Sequence, residues 1–152
     1  MAHFLATVDV DASPAVTWAA LVDWPSHGRW VPLTRVRVVT ASGAGVGARF
    51  VGRSGIGRLG FDDPMEVVEW RPPTSEVSGW CAVVKHGRVV LGTARFEVSA
   101  LPEGRSRVVW AEDVEVAPVR LTRPFGGLLA LAGRVAFTRT LRAMAREVAG
   151  AR

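Results

Sequence analysis

The sequence changes character at Pro118. Before it, residues 35–116 run as short stretches of alternating apolar and polar residues, separated by turns containing Gly and Pro. After it, residues 124–149 show no alternation, contain no Pro beyond Pro124, and are rich in Ala, Leu and Arg. Alternating stretches joined by short turns predict antiparallel strands, because parallel strands need long crossovers. A Pro-free run of good helix formers predicts one long helix. Consecutive strands followed by a single long helix make an α+β arrangement, not a series of βαβ units. At 152 residues the chain fits one domain, predicted over 1–152, with enough length to bury a sizeable core.

The segment before residue 35 adds one strand and two short helices. His3 to Val10 alternates, with Phe4, Ala6, Val8 and Val10 on one face. Ser13-Pro14 supplies an N-cap and a first helical residue, and Trp18, Leu21 and Val22 form an apolar stripe behind them. Pro25 ends that helix at Trp24, and a second helical turn runs from Ser26 to Trp30. Strands are then expected at 35–40, 48–53, 59–70, 76–85, 89–100 and 107–116. Ser54-Gly55-Ile56-Gly57 is read as a flexible turn, Asp62-Asp63-Pro64 as a turn or bulge, and Pro102-Glu103-Gly104 as a hairpin turn. Along the last helix, Ala130, Gly133, Phe137, Leu141, Met144 and Val148 share one stripe, small in its first half and large in its second. Leu128, Leu131 and Val135 form a second apolar edge.

Charge excludes more than it assigns. The net charge is +5, yet Lys85 is the only lysine and the arginines are scattered singly along the strands, as at Arg35, Arg49, Arg53, Arg71, Arg95 and Arg107. That spread suits the solvated face of a sheet better than a nucleic-acid footprint, so no nucleic-acid partner is expected. The longest mostly apolar stretch, 124–132, is far below the roughly 20 residues that cross a bilayer, so no stable membrane insertion is expected. With no signal-like segment and Cys81 as the only cysteine, a cytoplasmic location is expected. Three isolated histidines and one cysteine do not make a zinc site, and the glycines at 43–47 precede a strand, not a helix. No metal and no cofactor are expected.

Several local signatures occur in an order that carries a resemblance. They are Asp11-Ala12-Ser13-Pro14-Ala15 leading to Trp18, Val22-Asp23-Trp24, and Arg29-Trp30-Val31-Pro32. Gly45 to Phe50, Val67 to Pro73 and Gly92-Thr93-Ala94-Arg95-Phe96 follow. In this order the chain resembles the START-like (SRPBCC) superfamily, in its polyketide cyclase/dehydrase branch, over nearly its whole length. The resemblance implies a helix-grip fold, with a curved antiparallel sheet of six or seven strands round the long C-terminal helix. It also implies a cavity between sheet and helix. Superfamily members include aromatases, cyclases, lipid carriers and hormone receptors, so the fold does not settle the activity.

Six Trp, six Phe and no Tyr agree with an apolar cavity, although the helix glycines could equally admit close helix–sheet packing. Phe50, Phe96 and Trp110 are the expected floor, and the small-residue half of the helix, Gly126, Ala130 and Gly133, the roof. Trp30, Trp80, Leu129 and Phe137 complete the expected ligand-binding set. In residues 108–116, alternation places Glu112 with Val108, Trp110 and Val114 on the inner face, and Arg95 on the outer one. A carboxyl among apolar residues is poised as an acid or base, so Glu112 is the candidate catalytic residue. His27, near Trp24 and Trp30, is a weaker candidate for a pocket entrance. The resemblance to aromatases implies a polar cavity with tyrosine, arginine and serine or threonine groups positioning a polyketide chain; this chain has no tyrosine, and none of those residues is carried over. The predicted function is binding of a small hydrophobic, lipid- or polyketide-like molecule. The alternatives are a polyketide cyclase, dehydratase or aromatase, or an interaction module using Leu128, Leu131 and Val135 for a partner, a homodimer or a membrane surface.

Overall fold

In a computed structural model describing residues 1–151, β1 (Ala2–Val10) opens the chain. Ser13 Oγ accepts the Val16 N–H at 3.2 Å and Pro14 takes the first helical position, which starts α1 (Pro14–Val22). Pro25 tightens the chain into a 3-10 turn over Trp24–Ser26, and α2 (His27–Trp30) follows. Then come β2 (Thr34–Val38), β3 (Arg49–Ile56), β4 (Leu59–Arg71), β5 (Gly79–His86), β6 (Val90–Leu101) and β7 (Arg105–Val116). A short α3 (Val119–Thr122) and a 3-10 turn over Arg123–Phe125 lead into α4 (Gly126–Gly150), 25 residues long.

The seven strands form one curved antiparallel sheet in the order β1-β7-β6-β5-β4-β3-β2. The first two strands are therefore opposite edges, and α1 and α2 carry the chain between them across the concave face. Alternation fixes which side chains point inward: Phe4, Ala6 and Val10 from β1, Phe96 and Val98 from β6, Val108 and Trp110 from β7 are buried. They pack against Trp18, Leu21 and Trp24 on one side and Leu141, Met144 and Val148 of α4 on the other. Burial of this apolar area is the main driving force for the arrangement. Of the stripe expected on α4, Leu141, Met144 and Val148 are buried, with Thr140 beside them, Ala130, Gly133 and Phe137 are half-buried, and Leu128, Leu131 and Val135 lie exposed.

Three local expectations are corrected. The turn placed at 54–57 lies further on, because β3 continues to Ile56 and only Gly57-Arg58 remain between it and β4. Asp62-Asp63-Pro64 is no interruption: β4 runs through it for 13 residues. Pro64 is tolerated there because β4 pairs with β5 only from Met65↔Lys85 onward, so at Pro64 it has a single partner strand. The irregularity in β4 instead falls between Val67 and Glu69. The fifth strand begins at Gly79, not residue 76, because Thr74 Oγ1 accepts the N–H groups of Glu76 and Val77 and holds a turn before it.

Candidate functional site

A chain of aromatic contacts crosses the concave face. Trp18 packs on Phe96 with ring centroids 5.6 Å apart, Phe96 stacks on Trp110 at 5.3 Å, and Trp110 stacks on Phe137 of α4 at 5.4 Å. Trp24 stacks on Phe50 at 4.2 Å. Beside Trp110, Phe137, Trp24 and Phe50 the sheet and helix part, leaving a cavity of about 240 Å³. An apolar cavity of about 150 Å³ already admits benzene, so this one has room for a ring system somewhat larger. Gly52 on its wall contributes no side chain, and Val36, Val83 and Ala94 keep much of the remaining lining apolar.

Three charged side chains enter this apolar wall from three strands. Lys85 Nζ of β5 donates to Asp63 Oδ2 of β4 at 2.7 Å and lies 3.6 Å from Met65 Sδ. Glu112 of β7 is 4% exposed, and its Oε1 accepts the Trp110 Nε1–H at 3.0 Å. Asp63 Oδ1 is buried with no hydrogen-bond partner, the only such side-chain atom among the described residues. Burial pushes the Glu112 carboxyl above the usual carboxylate range, against the pull of Lys85 and of the Trp110 N–H. Burial also opposes the Lys85 charge, but attraction to Glu112 and Asp63 outweighs it and holds the ammonium protonated beyond an ordinary lysine. The cluster thus pairs one ion pair with one carboxyl biased toward its neutral, proton-donating form.

His27 also lines the cavity, with its ring 5.5 Å from Trp24 and 6.1 Å from Trp110. Its Nε2–H donates to the Leu21 carbonyl at 2.6 Å, and burial lowers its pKa, which favours the neutral ring. Of the residues expected at the site, Phe50, Trp110, Glu112 and Phe137 reach the cavity. Phe96 lies in the core beneath Trp110 and Trp18. Trp30 is buried, with Nε1–H bonded to Glu147 Oε2 at 2.6 Å, and ties α2 to α4. Trp80 is corrected to the convex face: its neighbours Gly79 and Cys81 point inward, so Trp80 points out and bonds Glu69. Gly133 roofs no free space, because a Cβ there would sit 2.5 Å from the Phe4 ring. Leu129 faces a shallow notch beside Ala2 and Val114, away from the cavity. Cys81 is buried, and burial, then the nearby Glu69 charge, pushes its thiol up to about 12. No group of three or more His, Cys, Asp or Glu side chains able to hold a metal occurs among the described residues.

The sequence of this chain matches a known family model, described as polyketide cyclase / dehydrase and lipid transport, over residues 1–149. The chain belongs to this family. Solved structures share its fold at low identity. TTHA0849 from Thermus thermophilus superposes with a TM-score of 0.78 at 14% identity, covering 98% of each chain. A Zhui aromatase/cyclase from Streptomyces sp. R1128 gives 0.68 at 17%, covering 96% of this chain and 94% of that one. A START superfamily protein from Mycobacterium smegmatis gives 0.67 at 15%, covering 96% of this chain and 98% of that one. No curated protein matches.

Within this polyketide cyclase/dehydrase and lipid transport family member, two site residues escape the sequence reading. Lys85 is read only as the last residue of the strand expected at 76–85, and Asp63 as part of a turn or bulge with Pro64. Both lie on the inward register, which alternation carries from Cys81 and Val83 to Lys85 and from Met65 back to Asp63. The signal is present, but charge and a neighbouring proline argue against reading either as interior.

Proposed function

We propose that this protein binds a small, largely apolar molecule in the cavity beside Phe137 and Trp110, with the molecule's polar part turned toward Asp63, Lys85 and Glu112. The observation that carries the reading is the cavity itself: about 240 Å³ between aromatic walls, with a few polar groups at fixed positions. Native mass spectrometry of freshly purified protein tests it. A co-purified molecule of apolar character is expected, and its removal should open the cavity to an added aromatic probe. A protein that carries nothing and takes up no apolar probe at millimolar concentration would refute it.

One observation favours a second reading, in which the ligand is a polyketide-like substrate to be cyclised or dehydrated. Three polar groups converge on one cavity, and Glu112 is biased toward the acid form that could protonate a leaving hydroxyl or carbonyl oxygen. Here Glu112→Gln should abolish turnover while leaving substrate affinity within a few-fold.

A further inference from the structure

The net charge of +5 is not spread evenly along the chain. Residues 117–146 hold six arginines and no Asp or Glu, leaving thirteen cationic residues against fourteen acidic ones elsewhere. These six, Arg120, Arg123, Arg134, Arg139, Arg142 and Arg146, are all exposed. Among the described residues only Arg123 of the six forms an ion pair, a long one to Glu115 at 3.8 Å. By contrast, Arg29, Arg95, Arg105 and Arg107 each have a carboxylate partner. The same segment carries Leu121, Phe125, Leu128, Leu131 and Val135, which are 44% to 70% exposed. At 3.6 residues per turn, Leu128, Leu131 and Val135 share one side of α4 with Arg139, Arg142 and Arg146, away from the buried Leu141, Met144 and Val148. That side of α4 is therefore apolar over its first half and cationic over its second.

Apolar side chains left in water lose burial, and unpaired like charges repel. A second copy seated two-fold on this face would bring two sets of unpaired arginines together. Duplex nucleic acid would satisfy the arginines and leave the leucines in water. The surface of an anionic bilayer meets both needs, with negative head groups above an apolar layer. We infer that the α3–α4 face docks this protein on an anionic lipid surface, with Phe125 and the exposed leucines entering the headgroup boundary and the arginines meeting lipid phosphates. No helix of the described residues is long and apolar enough to cross a membrane, and the contact lies along the bilayer surface. It does not depend on what the cavity holds.

Vesicle flotation with the full chain tests the inference. Vesicles of phosphatidylcholine with about one-quarter phosphatidylserine should bind at least about tenfold more tightly than phosphatidylcholine alone, and added salt should shrink the difference. Leu128→Ser with Leu131→Ser should weaken binding to the anionic vesicles at least about tenfold, and so should Arg139→Gln with Arg142→Gln and Arg146→Gln. All five positions are exposed, so both variants are expected to keep the wild-type Tm. Arg35→Gln with Arg37→Gln, two exposed arginines of β2, should leave binding within about twofold. If a variant does not fold, the wild-type comparison of the two vesicles still decides. No binding to anionic vesicles, equal binding to neutral ones, or binding that the β2 variant loses as much as the α4 variants would each overturn the inference. So would full binding by the leucine variant, which would reduce the contact to charge attraction alone. A dimer in sedimentation analysis that the leucine variant abolishes would overturn it in favour of a second copy.

Discussion

At the Trp18 end of the concave face the sheet is filled to contact. At the Asp63 end the same sheet leaves about 240 Å³ not filled by side chains. Trp18 meets Trp70 and Phe96, and a Cβ on Gly79 would lie 2.8 Å from its ring. Two polar side chains buried near that end, Thr17 and Ser106, satisfy each other at 2.8 Å. At the other end, an acceptor is left unmet and a carboxyl is held above its usual range. Close packing therefore lies at one end and the exceptions to it at the other, with Trp110 the ring shared by both. Proteins tend to break their own packing rules where they bind or react, and here the breaks cluster together.

The contrast can be broken by mutation, most forcefully at Trp18. Trp18→Ala should destabilise the protein by about 3–5 kcal/mol in denaturant titration, because a filled region leaves its cavity unrelaxed. A loss below about 1 kcal/mol would mean that this end is no better packed than the other. Next comes Lys85→Met, expected to lose about 3 kcal/mol by stranding the Asp63 carboxylate, with Asp63→Leu on the same background restoring most of it. If the single variant is as stable as wild type, the ion pair holds nothing together.

A smaller effect should appear in pH dependence. With its pKa raised in the folded state, Glu112 keeps a proton that the unfolded chain has already lost. Its contribution to stability is therefore present below the unfolded carboxyl value and is lost as pH rises through the elevated one. Glu112→Gln should flatten the fall in Tm across that window and raise Tm at neutral pH. His27 acts with opposite sign: its lowered pKa makes stability fall as pH drops below about 6.5, where the unfolded imidazole takes up a proton. A wild-type Tm flat from pH 4 to 8 in both arms would remove Glu112 and His27 as buried titrating groups. Smallest of all is Trp80→Phe, whose loss of an exposed bond to Glu69 should change stability by no more than about 0.5 kcal/mol.

Most of the fold can be read in the chain because its signals are local. The Ser13-Pro14 cap, the alternation of β7 and the uninterrupted composition of α4 each depend on residues close together in sequence. The inward placement of Glu112 is legible for the same reason. What escapes reading depends on partners elsewhere. Pro64 is acceptable inside β4 only because β5 has not yet joined it, a fact of pairing between distant segments. Lys85 can be buried only because Asp63, 22 residues away, meets it. Gly133 looks like space on a helix stripe, and only the three-dimensional arrangement shows Phe4 occupying that space. Trp80 is a different kind of miss: its register is available from Cys81 and Val83, and large aromatic size outweighs it.

The placement of α4 has a consequence for how such a domain can change. Its closest neighbour among the strands is β1, at one edge of the sheet, while Asp63 and Lys85 stand on β4 and β5 near the middle. The contacts that fix the clamp and the charged side chains that line the hollow are thus largely separate sets. On the proposed reading of the hollow as a binding site, a lineage carrying this scaffold can exchange one ligand for another through a few inward positions on the central strands, leaving the grip of helix on edge strand untouched.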